Sequence, residues 1–450
     1  MTKEFMAPLT APVNQQERIV ILDSLRGFAI LGILLMNMPS FSMPPPAHHD
    51  PSVLNEWGTI DFTTWKIVQW FPEGTQRAIF SMLFGAGILL FIGGKEKRLD
   101  GMMPADYFFR RQLWLIVFSL FDVFILLWLG DILLDYAVLG MVMFAFRNLP
   151  AKKLLIGAGF CFFFMLVTEN RNLYHDKEII HRGEMIAAID TTKTPLTLIQ
   201  KEQLEAMEDF KKKNTIESKQ VAMKKNIEKN TGSYKDLYEH RTSRYINELV
   251  TYLYFGIWDV MLFMFIGMAF FKMGILTGQA SVKTYLLMTI VGLGIGLSVS
   301  YFRLQQEIYA RFNWYEYSKQ VWFSSYELSR TFRSLGILGL IMLMYKSGWF
   351  KWLFTLLRPV GQMAFTNYLM QSFLCGLIFY GVGFGLFGKL QRHEIYYVLA
   401  AIWAVQIIYS NIWLSYFRFG PMEWCWRSLT YWKKQPFKKN ESSTDTAGMS

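Results

Sequence analysis

Charge is scarce in this chain. Of its 450 residues, 18% are charged, against about 25% in an ordinary soluble domain. That excludes a conventional water-facing surface over much of the molecule. Cysteine is scarcer still. Cys161, Cys375 and Cys425 all lie in apolar stretches and none belongs to a CxxC pair, so neither a zinc site nor a disulfide framework is indicated, and helix packing is their plain role. No Gly-rich nucleotide loop, Walker motif or HExxH occurs, and no metal is expected. Gly85-Ala86-Gly87 and the alternate glycines Gly292, Gly294 and Gly296 sit inside apolar runs, where close helix packing explains them better than phosphate binding. The alternating ~10-residue segments of a transmembrane barrel are also missing.

What remains is hydrophobic: 52% of residues are apolar and 17% aromatic. Apolar blocks recur along the whole chain. Each is roughly 18–25 residues, the length that crosses ~30 Å of hydrocarbon at 1.5 Å per residue. Lipid offers no partners to free backbone groups, so such blocks must be helices. The expected fold class is an all-α integral membrane protein with about ten transmembrane helices: 19–38, 77–93, 112–129, 132–146, 154–167, 249–271, 285–301, 329–345, 363–387 and 395–416.

The formal net charge is +11. In a soluble protein this would suggest a nucleic-acid partner. Here the excess sits beside helix ends, at Lys95, Lys97 and Arg98, at Arg110 and Arg111, at Arg147, Lys152 and Lys153, at Lys346 and Lys351, and from Arg418 to Lys439. An alternating walk from a cytoplasmic N-terminus puts all of these clusters inside, as positive-inside topology requires, and predicts both termini in the cytoplasm. No nucleic-acid partner is expected. Residues 1–17 are polar with no cleavage motif after them, so no cleaved signal peptide is read there.

The organisation that follows is a cytoplasmic segment 1–18, an N-terminal transmembrane half 19–170, a charged extracytoplasmic insertion 171–245, a C-terminal transmembrane domain 246–432 and a basic tail 433–450, disordered from residue 440. The insertion has a thin apolar stripe, Leu204, Met207, Phe210 and Ile216, which fits exposed helices on a mixed-charge surface. It is a solvated helical hairpin or a lid over an external site.

Ionisable groups at membrane depth are expensive, and each is a functional candidate. Asp23 and Arg26 are three apart on one face of the first span, so a local ion pair is the simple explanation. Arg26 beside Gly27 would also suit a phosphate. Asn37 ends the same helix, as a packing or capping group or as a catalyst. His48 and His49 follow it in a Pro-rich loop, where imidazole could serve as a base near neutral pH. Asp122 lies deep in the third span and needs a proton or an Arg partner; Arg77, Arg330 and Arg333 are the options. Asp131 sits at a turn, where it could cap the next helix. Asp259 is a further buried carboxylate. Asn367 and Gln371, four apart, are placed to hydrogen-bond across helices.

Five strings resemble a known family: RIVILDSLRGFAILGILLMN at 18–37, FSMLFGAG at 80–87, GDILLDYAVLG at 130–140, RPVGQMAFTNYLMQS at 358–372 and FGPMEWCWRSLTYW at 419–432. They are similar to the YeiB-like bacterial membrane proteins, whose C-terminal part is a domain of unknown function. The N-terminal half also resembles the transmembrane acyltransferase superfamily that includes heparan-α-glucosaminide N-acetyltransferase. Those enzymes open with an R-x-x-x-(L/V)-D-x-x-R-G helix ending in Asn, followed eleven residues later by an essential His. Here that pattern falls on Arg18, Leu22, Asp23, Arg26, Gly27, Asn37 and His48. Where many YeiB-like members carry a His in the third span, this chain has Val123 with Asp122 beside it.

The resemblance implies a multi-pass protein of the bacterial cytoplasmic membrane. It would move an acyl group from cytoplasmic acetyl-CoA, or another acyl-CoA, to a hydroxyl or amine on an extracytoplasmic glycan, lipid or secreted metabolite. The expected site has Arg26, Arg77, Arg110 and Arg111 on the CoA phosphates and His48, Asn37 and Asp122 at the chemistry. Asp131, Asn367 and Gln371 would contact substrate. A homodimer is one arrangement open to it. The alternatives are a small-molecule transporter or exporter, favoured by the buried polar residues, and a non-catalytic envelope protein.

Overall fold

The computed structural model describes residues 19–96, 101–190, 192 and 195–439, apart from the side chains of residues 250–255. The expected segment 1–18, the basic residues Lys97 and Arg98 and the tail from residue 440 lie outside the described residues. Among the described residues no strand forms. The helices are α1 Val20–Ser42, α2 Pro45–His49, α3 Ile60–Trp70, α4 Thr75–Glu96, α5 Met103–Phe124, α6 Leu133–Phe144, α7 Ala151–Ala187, α8 Leu198–Lys213 and α9 Ile216–Thr231. The chain continues with α10 Tyr234–Lys272, α11 Val282–Tyr309, α12 Trp314–Gln320, α13 Tyr326–Ser347, α14 Lys351–Gln362, α15 Ala364–Phe379, α16 Glu394–Tyr416 and α17 Pro421–Tyr431.

This is the architecture of a membrane protein. Among the described residues, five helical segments are long and apolar enough to cross a bilayer: α1, the stretch Ile60–Glu96 spanning α3 and α4, α7, α11 and α16. α6 and α15 are apolar but shorter. Helices at the periphery carry apolar side chains outward, among them Ile156, Phe160 and Phe163 on α7 and Leu287, Ile290 and Phe302 on α11. A water-soluble fold would bury such rows; lipid-facing helices keep them.

α1 is the axis of the fold. It is buried along most of its length and packs against α4, α14, α15 and α16. Its contact with α14 is backbone on backbone. A Cβ at Gly361 would lie 1.7 Å from the Asp23 carbonyl oxygen, and one at Gly27 would lie 2.3 Å from that of Leu357. Only glycine permits this approach.

Several elements depart from the expected spans. α7 runs for 37 residues without a break, so the span expected at 154–167 continues into the insertion as one rod. α10 does the same from the other side over 39 residues. The span expected at 363–387 ends at Phe379. The glycine-rich run after it, Gly381, Gly383 and Gly385, turns back in hydrogen-bonded turns. α14, an amphipathic half-length helix, was not anticipated.

The insertion is a pair of short helices, α8 and α9. Each begins at a Thr that accepts a hydrogen bond from a first-turn N–H, Thr197 from Gln200 and Thr215 from Ser218. α8 packs on the extended α7, and α9 packs on α2 and α10.

Candidate functional site

At the Arg26 end of α1 lies a cavity of about 300 Å³. Asp23 and Arg26 form its rim, joined by a 2.8 Å ion pair. Gln362 donates to the second oxygen of Asp23 at 3.1 Å. Arg111 and Arg427 add two more cations and Glu423 one carboxylate. The Arg111 guanidinium lies 3.7 Å from the centre of the Trp426 ring, and Trp426 Nε1 donates to the Arg111 carbonyl at 2.9 Å. Glu423 accepts from the N–H groups of Phe365 at 2.8 Å and Thr366 at 3.1 Å. It thereby satisfies orphan donors in the first turn of α15. All five strings that carry the family resemblance contribute to this cavity: Leu22 and Arg26, Phe84 and Gly87, Leu133 and Tyr136, Gln362 and Tyr368, Trp426 and Arg427.

At the other end of α1 two cavities share a wall. The larger, about 640 Å³, is lined by Met36, His48, His49, Glu73, Arg303 and Tyr326, among others. The smaller, about 240 Å³, brings Asn37 together with His48 and His49, and also with Trp128, Gly130 and Arg241. The shared wall is the His pair, whose rings stack 4.2 Å apart, followed back along the chain by Pro45. α2 owes its place to Arg392. This buried guanidinium donates to the Ala47 carbonyl at 2.6 Å and the His48 carbonyl at 3.2 Å, while its Nε donates to Glu56 at 2.7 Å. Burial, then the nearby His49 and Arg392 charges, hold the His48 imidazole well below its usual 6.5. His49 is also held down, chiefly by burial, with Glu73 opposing. Both rings are therefore neutral at pH 7, the form that accepts a proton.

The insertion closes over these two cavities. From α9, Lys219 reaches the larger one and pairs with Asp50 at 2.8 Å. Asn226 and Asn230 line the smaller one.

The Arg26 and His48 cavities do not join. The wall between them is thin, however. Gly130 lines the small cavity at the His48 end, and Ile132 lines the cavity at the Arg26 end. Two residues of chain reach at most about 7 Å, and the residue between them is Asp131. Its carboxylate accepts from the Ser119 hydroxyl, from Leu133 N–H at 3.1 Å, from Leu134 N–H at 3.3 Å and from the Tyr368 hydroxyl at 3.2 Å. The two N–H contacts are the cap of α6 expected from its position at a turn. Asp122 is fully buried beside it, and neither of its oxygens has a well-formed hydrogen bond. Trp128, from the same turn, stacks on Phe41 at 3.7 Å and lines the small cavity on the His48 side.

The structure thus brings together Arg26 with Arg111, Asn37 with His48, and Asp122 with Asp131. It does not bring Arg77 or Arg110 to the Arg26 cavity. Arg77 pairs with Asp259, which also binds Arg330 at 2.6 Å. Arg110 pairs with Asp106 at 2.6 Å. Asn367 donates to the Val360 carbonyl and to Ser410, and Gln371 donates to the Ile30 carbonyl and to Gln406. Both sit between helices, outside the three cavities. The reading from sequence missed Arg392, Glu56, Lys219 and the Arg303–Glu307 pair. Of these only the last left a signal, a basic and an acidic residue four apart at the end of an apolar span.

Fold and cavities define an α-helical membrane protein with polar chambers at both ends of a central helix. The relatives sharpen this. Residues 270–433 match the family model described as "Protein of unknown function (DUF418)". The chain is 29% identical to the uncharacterized protein YxaH of Bacillus subtilis (strain 168), over 95% of this chain and 98% of the relative. It is 28% identical to the uncharacterized protein YeiB of Escherichia coli (strain K12), over 92% and 96%. A third relative, an uncharacterized 39.9 kDa protein in the amylase 3' region of Bacillus acidopullulyticus, is 26% identical over 94% and 97%. No solved structure matches. The chain is thus similar to YeiB and YxaH along nearly its whole length, and matches the unknown-function family model over its C-terminal part.

Proposed function

We propose that the protein is a transmembrane acyltransferase, taking an acyl group, acetyl or another, from cytoplasmic acyl-CoA to an acceptor on the opposite side. One observation carries the reading: a cationic chamber and a chamber holding a neutral His beside Asn37 lie at opposite ends of one helix, parted by the chain around Asp131. Arg26 to Asn37 is eleven residues, or about 16 Å along a helix.

In this reading acyl-CoA enters at Arg26, Arg111 and Arg427, whose guanidinium groups suit its phosphates. Arg77 and Arg110 lie outside this cavity and take no phosphate. The thioester passes the Trp128–Asp131 turn when that turn moves, and reaches the small cavity. Asn37 orients its carbonyl. His48 takes the acceptor proton as the attack proceeds, then returns it to the departing thiolate. The topology that goes with this is ten spans in a bacterial cytoplasmic membrane, both termini inside.

The test is full-length protein in nanodiscs with radiolabelled acetyl-CoA. We expect label to leave CoA, and His48→Ala to slow that step by about a hundredfold or more. Because the neutral imidazole is the active form and its pKa is held below 6.5, the rate should be flat from pH 7 to 8 and fall only below pH 6.5. Unchanged transfer in His48→Ala would remove the mechanism.

A second reading follows from the same wall. Two chambers on either side of a thin barrier that contains buried carboxyls also suit a transporter working by alternating access. Uptake of a solute into proteoliposomes without chemical change, and without acetyl-CoA, would decide for it.

A further inference from the structure

The 640 Å³ cavity at the His48 end has a property the acyl-transfer reading does not require. Its lining holds three cations, Lys219, Arg303 and Arg392, against three carboxylates, Asp50, Glu73 and Glu307. The charges are matched one by one. Lys219 meets Asp50 at 2.8 Å. Arg303 pairs with Glu307. Glu73 faces Arg333 at 3.6 Å, and Arg392 holds Glu56 at 2.7 Å. A charged ligand entering here would meet no free counter-charge and would leave one uncompensated charge buried, which costs several kcal/mol.

Six further lining residues are aromatic: Trp65, Phe312, Trp314, Tyr317, Tyr326 and Tyr396. Flat aromatic faces bind flat apolar faces. Among the described residues, three lining side chains also carry buried polar atoms without a hydrogen-bond partner. They are Arg303 at Nε and Nη2, Trp65 at Nε1 and Glu73 at Oε2. Two are donors and one is an acceptor. A hydroxyl both gives and takes, so a ring carrying several hydroxyls can satisfy all three where a carboxylate or an ammonium cannot.

We infer that this cavity is a binding site for an uncharged, polyhydroxylated ring, and that the group acylated there is a hydroxyl. The binding claim stands alone; the ester claim rests on the acyl-transfer reading. The step balances. A ring O–H gives its proton to the His48 imidazole, its oxygen forms a bond to the thioester carbonyl carbon, and the C–S bond breaks. The thiolate leaves and takes the proton from His48, giving an ester and free CoA thiol. His48 borders both chambers, so one imidazole faces the ring on one side and the acyl group on the other.

Binding is read by calorimetry on the full chain in nanodiscs, with no acyl donor present. The probes are methyl β-glucoside, N-acetylglucosamine and myo-inositol as uncharged rings, with glucosamine and glucuronate as a cation and an anion of similar shape. At least one uncharged ring should bind in the millimolar range or tighter, and the charged rings about tenfold more weakly. Trp65→Phe keeps the ring and deletes the N–H. It should weaken binding about tenfold with the melting temperature unchanged, whereas Glu73→Gln, which also takes the carboxylate from the buried Arg333, should weaken binding and lower the melting temperature together. No binding of any uncharged ring, or a charged ring binding as tightly, overturns the site. The reaction is read separately, with labelled acetyl-CoA and the ring that binds. With glucosamine also offered as acceptor, a product cleaved by alkaline hydroxylamine is the expected ester, whereas a resistant amide overturns the hydroxyl assignment. Failure of binding leaves acyl transfer standing, and failure of transfer leaves the site standing.

Discussion

Arg392 sits between helices in a short connection, yet it is among the most buried side chains described. Three of its nitrogens are committed, to Glu56, Ala47 and His48. The two carbonyls are the last of α2, which have no partner within so short a helix. Removing the cation therefore does two things: it strands Glu56, whose carboxyl burial already pushes up against the pull of Arg392, and it frees the segment that carries His48. We expect Arg392→Gln to lower stability by about 3–5 kcal/mol, the cost of a buried charge left alone. Adding Glu56→Gln should restore part of that loss, because the stranded charge is gone. Melting of the single and double variants in detergent reads this directly. Losses that simply add would mean that the two residues do not act as a pair. His48 could be picked out in the sequence because its offset from Asn37 matched a pattern. Arg392 could not, because a loop arginine looks solvated until the fold packs α2 against it.

Among the helices, the long apolar ones were legible and their limits were not. Hydropathy marks where a chain can be in lipid. It does not mark where a helix ends, so α7 and α10 overran their spans as single rods, and α15 stopped early at a glycine-rich turn. α14 was missed because it is half-length and amphipathic. Its role is now plain. Gly361 on α14 and Gly27 on α1 let the two backbones touch beside Asp23 and Arg26, the rim of the inner cavity. A methyl group has no room at Gly361, where the obstacle is main chain and cannot rotate away. Gly361→Ala should cost about 1–3 kcal/mol, the range for overpacking. Gly159 in α7 has nothing within 4 Å of a built Cβ, so Gly159→Ala should be neutral or stabilising by up to about 1 kcal/mol. Thermal unfolding of both in the same detergent makes the comparison; equal behaviour would show that the α1–α14 contact yields easily.

At the scale of the whole molecule, the two ends differ in what they expose. One end gathers basic groups. Arg147 faces Glu96 at 3.6 Å, Lys272 donates to the carbonyls of Arg147 and Leu149 at 2.7 Å each, and α17 brings Arg427 beside Arg26 and Arg111. The other end carries α2, α12 and the insertion helices α8 and α9. In the proposed topology the basic end faces the cytoplasm and the insertion, into which α7 and α10 both run, projects to the far side. The three native cysteines are free and the mechanism uses none of them, so they can be replaced to leave a clean background. In that background Lys212→Cys, on the exposed end of α8, should react with a membrane-impermeant maleimide on intact cells. Lys434→Cys, exposed just beyond α17, should react only after the membrane is opened. The reverse pattern would turn the molecule over, placing His48 in the cytoplasm and the Arg26 chamber outside. Acyl-CoA could not then reach the cations proposed to bind it. Labelling of both sites on intact cells would mean that the two ends share one side of the membrane, and the passage past Asp131 would then connect nothing that needs connecting.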